Sequence, residues 1–396
     1  MPLSDLKVVD LSTIIAGPFA SALLGDFGAE VIKVELPHVG DSLRHLPPHK
    51  DGAPLWWKVT NRNKKGITLD IRTPEGRELF QELMVWADVL VENFRPGTLA
   101  KYGFSSEVLE EINAELIVLR VSGFGQTGPM SGEPGFARVA EAFSGFTYLC
   151  GPTDGPPMHL GYPISDAVAG VFGAFGILIG CLQRAKGARE GIEEVDVSLV
   201  ESMFRLLEFS VIEQDQLGES RERFGNGSKY AGPSNIYRSQ DDHWVSLSAS
   251  TQRVFERCAH AIGRSDLIDN PNFASNPDRV KNAPELDEII SEWFSLHTLQ
   301  DALCILQEGD VPVSKVNPIQ DVINSPQMKA REAVVRVPDA ELGEVAMQGV
   351  YPRMKLEPGH VRSTGPTMGQ HNDDVFRGLL GMTQERLEEL KEKGVI

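Results

Sequence analysis

Short apolar segments alternate with helix-length segments over the first 122 residues. Five of the apolar segments have the length and composition of buried strands: residues 6–11, 28–35, 66–70, 88–92 and 116–122. The segments between them predict helices through residue 24, from a cap at Thr73 to about residue 86, and over residues 99–113. This alternation predicts an α/β fold built on a parallel, Rossmann-like sheet.

The later part of the chain predicts a second, smaller domain. An apolar run at 167–182 is too short to span a bilayer comfortably and predicts a buried helix ending near 185. After a polar interval at 186–194, we expect a strand at 195–199, a helix to 217, and a Gly/Ser/Pro-rich stretch at 225–233. Further elements are predicted as a strand at 244–247, helices after Thr251, Pro284 and Thr298, a hairpin at 333–337 and 345–351, and a charged helix at 383–393. We therefore predict a large Rossmann-like domain (1–224), a small α+β domain (225–324) and a return to the large domain (325–396).

Composition and charge narrow the class of protein. The 396 residues are 41% hydrophobic and 24% charged, which is typical of a globular multidomain enzyme. Thirty-eight basic against 56 acidic residues leave a net charge of −18, which argues against general binding to nucleic acid or to anionic membranes. The N-terminal residues lack a secretory signal pattern, so a cytoplasmic location is expected.

The motifs of several common chemistries are missing from the sequence. The turn after the first strand has no GxGxxG, which removes most of the support for a dinucleotide cofactor, and neither GxSxG nor HExxH occurs. The four cysteines are far apart and show no metal-ligand spacing: Cys150, Cys181, Cys258 and Cys304. They are expected to be reduced core thiols, and no metal site is expected.

Asp166 is the most informative single residue. It follows a Pro turn and opens the apolar run. A carboxylate near a helix start is ordinarily structural, because it caps free amides and complements the helix dipole. The same position suits a nucleophile, since neighbouring amides and the positive helix end are expected to keep the carboxylate ionised. The residue by itself leaves both interpretations open.

Cationic loops are candidates for binding an anionic ligand. Residues 61–66 contain three cations ahead of a strand, namely Arg62, Lys64 and Lys65. Residues 93–97 follow a strand, at the position where open α/β sheets bind ligands, and Lys101 lies in the next helix. In that loop Phe94 can stack on a ring while Arg95 pairs with phosphate. The alternatives are a solvated surface for the first loop and an ordinary strand-to-helix turn for the second.

Several motifs that are weak singly are informative in combination. They are residues 8–18 (VVDLSTIIAGP), 24–35 (LGDFGAEVIKVE), 91–97 (VENFRPG), Asp166 and 369–372 (GQHN). In combination they resemble the class III coenzyme A transferases, the formyl-CoA and carnitine-CoA transferase family (CaiB/BaiF), over nearly the whole chain. The resemblance implies an interlocked homodimer whose active site lies at the junction of large and small domains.

The resemblance also implies a chemistry and the residues that perform it. Asp166 would be the nucleophile that attacks an acyl-CoA donor such as succinyl-CoA, giving a mixed anhydride and then an aspartyl-CoA thioester, from which CoA passes to a small carboxylic acid. CoA is a substrate here, and neither a metal nor a permanently bound cofactor is implied. CoA contacts are implied at Ile15, Ala16, Leu69, Asp70, Ile71, Arg72, Asn93, Phe94, Arg95 and Lys101.

The segment 134–148 bears on related activities. The α-methylacyl-CoA racemases of the same superfamily carry a His-Asp pair where Phe136 and Ala137 stand here, and neither of these side chains moves a proton. The segment is more similar to members that act on succinyl-CoA and small dicarboxylic acids. The substrate contacts expected here are Phe136 and Arg138, and a structural ion pair is the alternative for Arg138. A racemase or epimerase, and a noncatalytic CoA-binding protein on this fold, stay open as alternatives.

Overall fold

The computed structural model describes residues 1–187 and 191–396, so part of the predicted polar interval, residues 188–190, lies outside the described residues. The strands are β1 (Lys7–Asp10), β2 (Glu30–Glu35), β3 (His49–Lys50), β4 (Ala53–Pro54), β5 (Lys64–Thr68), β6 (Val89–Glu92), β7 (Ile117–Ser122), β8 (Glu193–Ser198), β9 (Ser234–Arg238), β10 (Trp244–Ser248), β11 (Val313–Lys315), β12 (Val334–Asp339) and β13 (Gly343–Gln348). The helices are α1 (Ala16–Asp26), α2 (Leu55–Thr60), α3 (Pro74–Trp86), α4 (Thr98–Lys101), α5 (Ser106–Ile112), α6 (Ala137–Phe143), α7 (Phe146–Leu149), α8 (Ile164–Ala185), α9 (Leu199–Phe204), α10 (Glu208–Leu217), α11 (Gln252–Ala261), α12 (Asn276–Lys281), α13 (Ala283–Ser295), α14 (Leu299–Glu308), α15 (Ile319–Asn324), α16 (Pro326–Ala330) and α17 (Gln384–Glu392). Short 3-10 turns occur at Ser42–His45, Arg205–Leu207 and Ser265–Leu267, and a π-helical turn at Asp373–Leu379.

The chain divides into two compact units. Unit 1 contains residues 1–147, 160–219 and 327–396, and unit 2 contains residues 148–159 and 220–326. The boundaries predicted from the sequence were 224/225 and 324/325, whereas the units meet at 219/220 and 326/327, and the segment 148–159, expected in the large domain, groups with unit 2. Unit 2 is built on the antiparallel sheet β11-β10-β9 with its own apolar core.

The central sheet of unit 1 is parallel throughout. Its order is β5-β2-β1-β6-β7-β8, and all five neighbouring pairs are parallel. Counted by their order along the chain, these strands follow the doubly wound order, which reverses between β1 and β6. The α/β fold with a parallel sheet is therefore confirmed.

Strand residues alternate between two apolar layers. Val9 and Ile32 pack into a layer that includes α3, α5 and the C-terminal residues, whereas Val8 and Val31 pack with α1 and α8. This alternation follows from the two-residue period of a strand, and burial of both faces explains the nearly continuous apolar runs in the sequence. Gly170 brings α8 unusually close to α1, because a Cβ at this position would lie 2.8 Å from the Ala16 carbonyl oxygen.

Two predicted helices are interrupted. The helix expected at 99–113 splits into α4 and α5, because Gly103 adopts a positive φ of 98° and Ser105 then caps α5. The helix expected up to residue 217 splits into α9 and α10 around the 3-10 turn Arg205–Leu207. Both corrections reflect local turns that apolar periodicity does not detect.

The expectation that α8 is a buried helix is wrong for one of its faces. Small residues such as Gly170, Gly173 and Ala174 are buried, whereas Phe175 and Leu182 are 60% and 55% exposed. By length and composition alone α8 is apolar enough to cross a membrane, but its small-residue face packs against α1. The expectation of core thiols also fails for Cys304, which is exposed, while Cys258 is buried and Cys150 and Cys181 are partly buried.

Candidate active site

The carboxyl ends of β1 and β6 form the crevice where the strand order reverses. Asn93 joins the two loops that leave these strands. Its Oδ1 accepts a hydrogen bond from the Thr13 N–H at 2.8 Å, and its Nδ2 donates to the Thr13 carbonyl oxygen, also at 2.8 Å. The buried Glu92 carboxylate accepts from the Phe94 N–H at 2.7 Å. The loop at 93–97 is therefore built into the crevice, not merely an exposed turn.

A cleft of about 220 Å³ opens at this edge of the sheet. It is lined by Leu11, Thr13, Val34, Glu35, Leu36, Gly40, Asp41, Leu69, Asp70, Ile71, Arg72, Phe94 and Tyr102. The Phe94 and Tyr102 rings meet edge to face, with centroids 6.1 Å apart. Such an apolar cleft with an aromatic wall has the character of a site for a flat ring system.

Five of the ten residues expected to contact CoA line this cleft, namely Leu69, Asp70, Ile71, Arg72 and Phe94, and the other five do not. Arg95 and Lys101 are exposed, whereas Ile15 and Ala16 are buried at the start of α1. Asn93 contacts Thr13 as described. Because their side chains are buried, Ile15 and Ala16 can contact a ligand mainly through main-chain atoms.

Arg72 is the cation at the rim of the cleft. Its guanidinium donates to both carboxylate oxygens of Asp70 at 2.7 Å, while 53% of its side chain is exposed. This pairing lowers the pKa of Asp70 below its usual range. Asp70 thus occupies the Nε–Nη2 edge of Arg72 and holds a permanently charged, half-exposed guanidinium at the cleft.

Asp166 is the third residue of α8 and lies beside α6. Ser165, its neighbour, donates a hydrogen bond to the Ala137 carbonyl oxygen at 3.2 Å, which ties the start of α8 to the start of α6. Among residues 1–187 and 191–396, none donates a hydrogen bond to the Asp166 carboxylate, so Asp166 does not cap α8 through its side chain, although as an acid in the first turn it complements the helix dipole. Gly170, one turn further along α8, contacts Ala16 of α1.

The ionisation of Asp166 differs from the expectation. Burial, and then the charge of Glu141, raise the pKa of Asp166 from 3.8 to about 7. The helix terminus and nearby amides therefore do not keep this carboxylate strongly ionised, because desolvation outweighs them. Perturbation of this size by burial and a like charge is typical of reactive carboxylates.

Other side chains surround Asp166. Glu141 of α6 is buried and its Oε2 lies 4.0 Å from Nη1 of the half-exposed Arg138. Tyr162 lies near Trp56, with ring centroids 6.2 Å apart, and its pKa is raised by burial and by the Asp166 charge. Phe136 immediately precedes α6 and is 70% exposed.

The first cationic loop has a structural role that the sequence did not reveal. Arg62 pairs with the buried Asp26, and Lys64 is buried with its Nζ 2.8 Å from Asp10 Oδ2. Lys65 alone is partly exposed and pairs with Glu30 at 2.6 Å. The hypothesis that these cations bind an anionic ligand is therefore wrong for Arg62 and Lys64, whose charges are used inside the protein.

Lys64, the first residue of β5, belongs to a buried charge network that includes Asp10 at the carboxyl end of β1. Lys33 Nζ lies 3.8 Å from Asp10 and 3.3 Å from Asp41, and Arg44 forms a two-point pair with Glu35 at 2.7 Å for each contact. Sequence analysis missed this network. The available signal was the presence of two charged residues, Lys33 and Glu35, on one face of a strand whose other buried residues are apolar. Charges in such a buried strand must be paired.

The motif at 369–372 covers the β5 edge of the sheet. The Gly66 N–H donates to His371 Nδ1 at 3.0 Å, and the Thr68 N–H donates to Asn372 Oδ1 at 2.9 Å. Asn372 also donates to the Thr68 hydroxyl at 2.8 Å. These contacts satisfy edge groups that would otherwise be exposed to other strands, so the motif is structural.

Comparison with known proteins identifies the family of this chain. The model of the CoA-transferase family III matches residues 3–372. The chain belongs to this family. It is 41% identical over 396 residues to the succinyl-CoA:D-citramalate CoA-transferase of Chloroflexus aurantiacus, covering 100% of this chain and 98% of the relative. It is 38% identical over 400 residues to the beta subunit of the succinyl-CoA:L-malate CoA-transferase of the same organism, covering 100% and 98%.

A solved structure agrees with this assignment. The crystal structure of a CaiB/BaiF family protein from Brucella suis is similar to this family III chain, with a TM-score of 0.85 at 31% identity over 96% of this chain and 99% of the other. The resemblance found in the sequence is therefore confirmed. This family III protein is a CoA-transferase, and a CoA thioester is its substrate.

Proposed function

We propose that this enzyme transfers CoA from succinyl-CoA to a small dicarboxylic acid through a covalent intermediate on Asp166. The observation that carries the proposal is the placement of Asp166. It is a partly buried carboxylate with a pKa of about 7, on a helix that packs against the first turn of α1 beside the crevice. The naming of two relatives as succinyl-CoA-dependent transferases supports the choice of donor.

The proposed reaction has four balanced steps. The Asp166 carboxylate attacks the thioester carbonyl, the C–S bond breaks, and a mixed anhydride and CoA thiolate form. The thiolate attacks the aspartyl carbonyl, which releases succinate and leaves an aspartyl-CoA thioester. The acceptor carboxylate attacks that thioester and regenerates an anhydride and thiolate. Attack of the thiolate on the acceptor carbonyl yields the new acyl-CoA and free Asp166, so the thioester energy is conserved.

The environment of Asp166 suits this role. A carboxylate that burial and Glu141 make more basic is a stronger nucleophile than an exposed one, and it lacks the hydration shell that attack would have to remove. Attack on the thioester neutralises Asp166, which relieves its unfavourable proximity to Glu141. The two causes that raise the pKa therefore also favour the covalent intermediate.

The cleft next to this site is proposed to hold CoA. The walls formed by Leu69, Ile71 and Phe94 suit the adenine ring, and the cations Arg72, Arg95 and Lys101 at or near the rim suit the phosphates. Asp70 would orient Arg72, and the main chain of Ile15 and Ala16 would contact the thiol end of CoA. Asn93 would act mainly by holding Thr13.

The acceptor is proposed to contact α6. Arg138 is 48% exposed and its ion pair with Glu141 is long, at 4.0 Å, so its guanidinium can still meet a second carboxylate. Phe136, exposed at the start of the same helix, would cover the carbon chain of the acid. The relatives' names support an acceptor that bears two carboxylates, as malate and citramalate do.

The working enzyme is proposed to be a homodimer. Exposed apolar side chains on α8 form one stripe with helical spacing: Val171, Phe175, Leu178, Ile179 and Leu182. On α10, whose described residues are all unburied, Phe209, Val211, Ile212 and Leu217 add further apolar surface. The exposed apolar faces of these two helices exceed the isolated exposed residues of an ordinary monomer, and a second copy would cover them. The interlocked arrangement and a cytoplasmic location remain expectations of the sequence.

Sedimentation velocity tests this assembly. The wild-type chain is expected to sediment with the mass of two chains, and Phe175→Asp is expected to raise the fraction of single chains, because a charge cannot be buried unpaired in an apolar interface. Val85→Asp is the matched control, since Val85 is 68% exposed on α3, away from the stripe. A wild-type protein that sediments as one chain at micromolar concentration would contradict the proposal.

Intact mass spectrometry tests the covalent route. After incubation with succinyl-CoA, the wild-type protein is expected to gain the mass of CoA less one water. Hydroxylamine should convert this adduct to a hydroxamate that peptide mapping places on Asp166. Asp166→Asn should show no such adduct, whereas Asp5→Asn, which alters an exposed carboxylate, should form it normally.

Two artefacts are separable in that experiment. The exposed Cys304 can form a disulfide with CoA, which a phosphine reductant removes while the thioester survives. Direct acylation of a cysteine adds a succinyl group instead of CoA. Equal CoA adducts on wild type and Asp166→Asn, or none on either with a panel of acyl-CoA donors, would reject Asp166 as the nucleophile.

A further inference from the structure

The turn after β1 is held by side-chain acceptors on three successive amides. The Ser12 N–H donates to Asp10 at 3.0 Å, the Thr13 N–H to Asn93 at 2.8 Å, and the Ile14 N–H to Asp41 at 2.9 Å. In dinucleotide-binding folds the corresponding turn and helix start face a pyrophosphate. Here oxygen atoms of the protein itself occupy these donors, so the turn is a rigid support and not an anion site.

Ile14 is the strained residue of this turn. Its φ of 70° places a β-branched side chain in the left-handed region that such residues rarely adopt. Residues of this kind persist where their surroundings over-determine them, and they are concentrated at functional sites. Asp41 supplies the constraint, because both of its carboxylate oxygens lie within 3.2 Å of the Ile14 nitrogen.

Asp41 is itself held from several sides. Its side chain is buried, Lys33 Nζ lies 3.3 Å away, and the Leu43 N–H donates to it at 2.9 Å. The Asp41 N–H donates to Glu35 at 3.0 Å. The Lys33 ammonium also donates to the Ser12 carbonyl oxygen. Lys33 therefore holds the turn at Ser12, and Asp41 holds it at Ile14.

The strained turn leads directly to the contact between α1 and α8. Ala16 lies two residues after Ile14, and a Cβ at Gly170 would be only 2.8 Å from its carbonyl oxygen. Gly170 is one helical turn beyond Asp166. Resting on the proposed function, we propose that Asp41, backed by Lys33, is a positioning residue that holds Ile14 left-handed and thereby sets the main chain of Ile15 and Ala16 against the nucleophile.

Single-turnover kinetics and hydrogen exchange test this role together. Asp41→Ala is expected to slow aspartyl-CoA formation at saturating succinyl-CoA by about 10- to 100-fold, because small misplacements of reacting groups have effects of this size. Exchange of the peptide spanning residues 12–16 should accelerate by about tenfold or more, with other core peptides unchanged. Asp41→Asn, which keeps an acceptor for the Ile14 N–H, should recover part of both effects and replaces Asp41→Ala if that variant does not fold.

Asp339→Ala is the matched control. Asp339 is likewise a buried aspartate that pairs with a lysine, Lys58, at 3.0 Å and accepts from the backbone N–H groups of Glu341 and Leu342, but it does not touch the turn after β1, so its loss should leave both readouts at the wild-type level. An unchanged rate or unchanged exchange in Asp41→Ala would overturn the inference. A wild-type enzyme that forms no aspartyl-CoA would instead reject the proposed function, and the exchange data would still decide whether Asp41 holds the turn.

Discussion

Replacing Asp166 by Asn is expected to lower kcat for CoA transfer by on the order of 10⁴-fold or more, with the fold intact. The amide has nearly the same shape as the carboxylate but cannot form the anhydride or the thioester. Because Asp166 accepts no hydrogen bond from the described residues, the substitution breaks no structural contact there. Steady-state assay of transfer to malate or a related acid, alongside circular dichroism of each variant, provides the measurement.

The pH dependence of the wild-type rate should identify the same group. Only the ionised carboxylate attacks, so kcat/KM should rise with pH and pass its midpoint near the pKa of Asp166, about 7. Glu141→Gln should move that midpoint toward lower pH, since it removes a like charge. The shift should be partial, because burial, the larger cause, remains.

Arg72→Gln separates binding from chemistry in this series. Its loss should raise the KM for the acyl-CoA by about tenfold and leave kcat nearly unchanged, because a phosphate contact acts equally on ground and transition states. Arg77→Gln, which changes a neighbouring arginine whose Nη2 donates to the Arg72 carbonyl oxygen, serves as the control.

Retention of substantial turnover in Asp166→Asn would favour a racemase-like proton transfer or another nucleophile.

Lys64→Met is expected to destabilise unit 1 by about 3–5 kcal/mol, whereas Lys65→Met should change stability by about 1 kcal/mol or less. Lys64 is fully buried, and its Nζ donates to Asp10 at 2.8 Å, to the Pro18 carbonyl at 2.7 Å and to Asn61 at 2.8 Å. Methionine fills a similar volume but leaves the Asp10 carboxylate undercompensated and two acceptors without a donor. Lys65 makes one partly exposed ion pair.

Urea unfolding followed by circular dichroism and tryptophan fluorescence measures this difference. The adjacent positions share strand, residue type and substitution, so the contrast isolates burial and pairing from helix or strand propensity. Equal effects at the two positions would show that the buried network is not a major source of stability. A loss at Lys64 alone would confirm that the motif at 61–66 stabilises the fold instead of binding ligand.

Much of the architecture could be predicted from local pattern. Buried parallel strands must be apolar on both faces, and the predicted cap at Thr73 accepts a backbone hydrogen bond. Thr251 and Thr383 are also N-caps of this kind, next to helices that the sequence predicted. Family membership followed from motifs spread over the chain. The interruption at Gly103 was missed because one residue in a left-handed conformation leaves apolar periodicity unchanged.

The candidate site was predictable only in part. Asp166 and Phe94 could be named because they open a helix or follow a strand, where ligand-binding groups tend to lie, whereas Asp70 and Arg72 were implied only by the family resemblance. The ionisation state of Asp166 could not be predicted from the sequence. The raised pKa of Asp166 depends first on burial and then on Glu141, which is 25 residues earlier in the chain and is brought close by packing of α6 against α8.

The sequence by itself determined the order of strands and helices, the family and the candidate nucleophile, because these depend on residue type and short-range spacing. Only the tertiary structure decided which charges are buried and paired and which lie at a cleft. It buried Lys33 and Lys64 against Asp10 and left Arg72 at a cleft, although all three are basic residues near strands. Pairing and desolvation depend on neighbours distant in the chain, so no local pattern could distinguish a structural cation from a binding one.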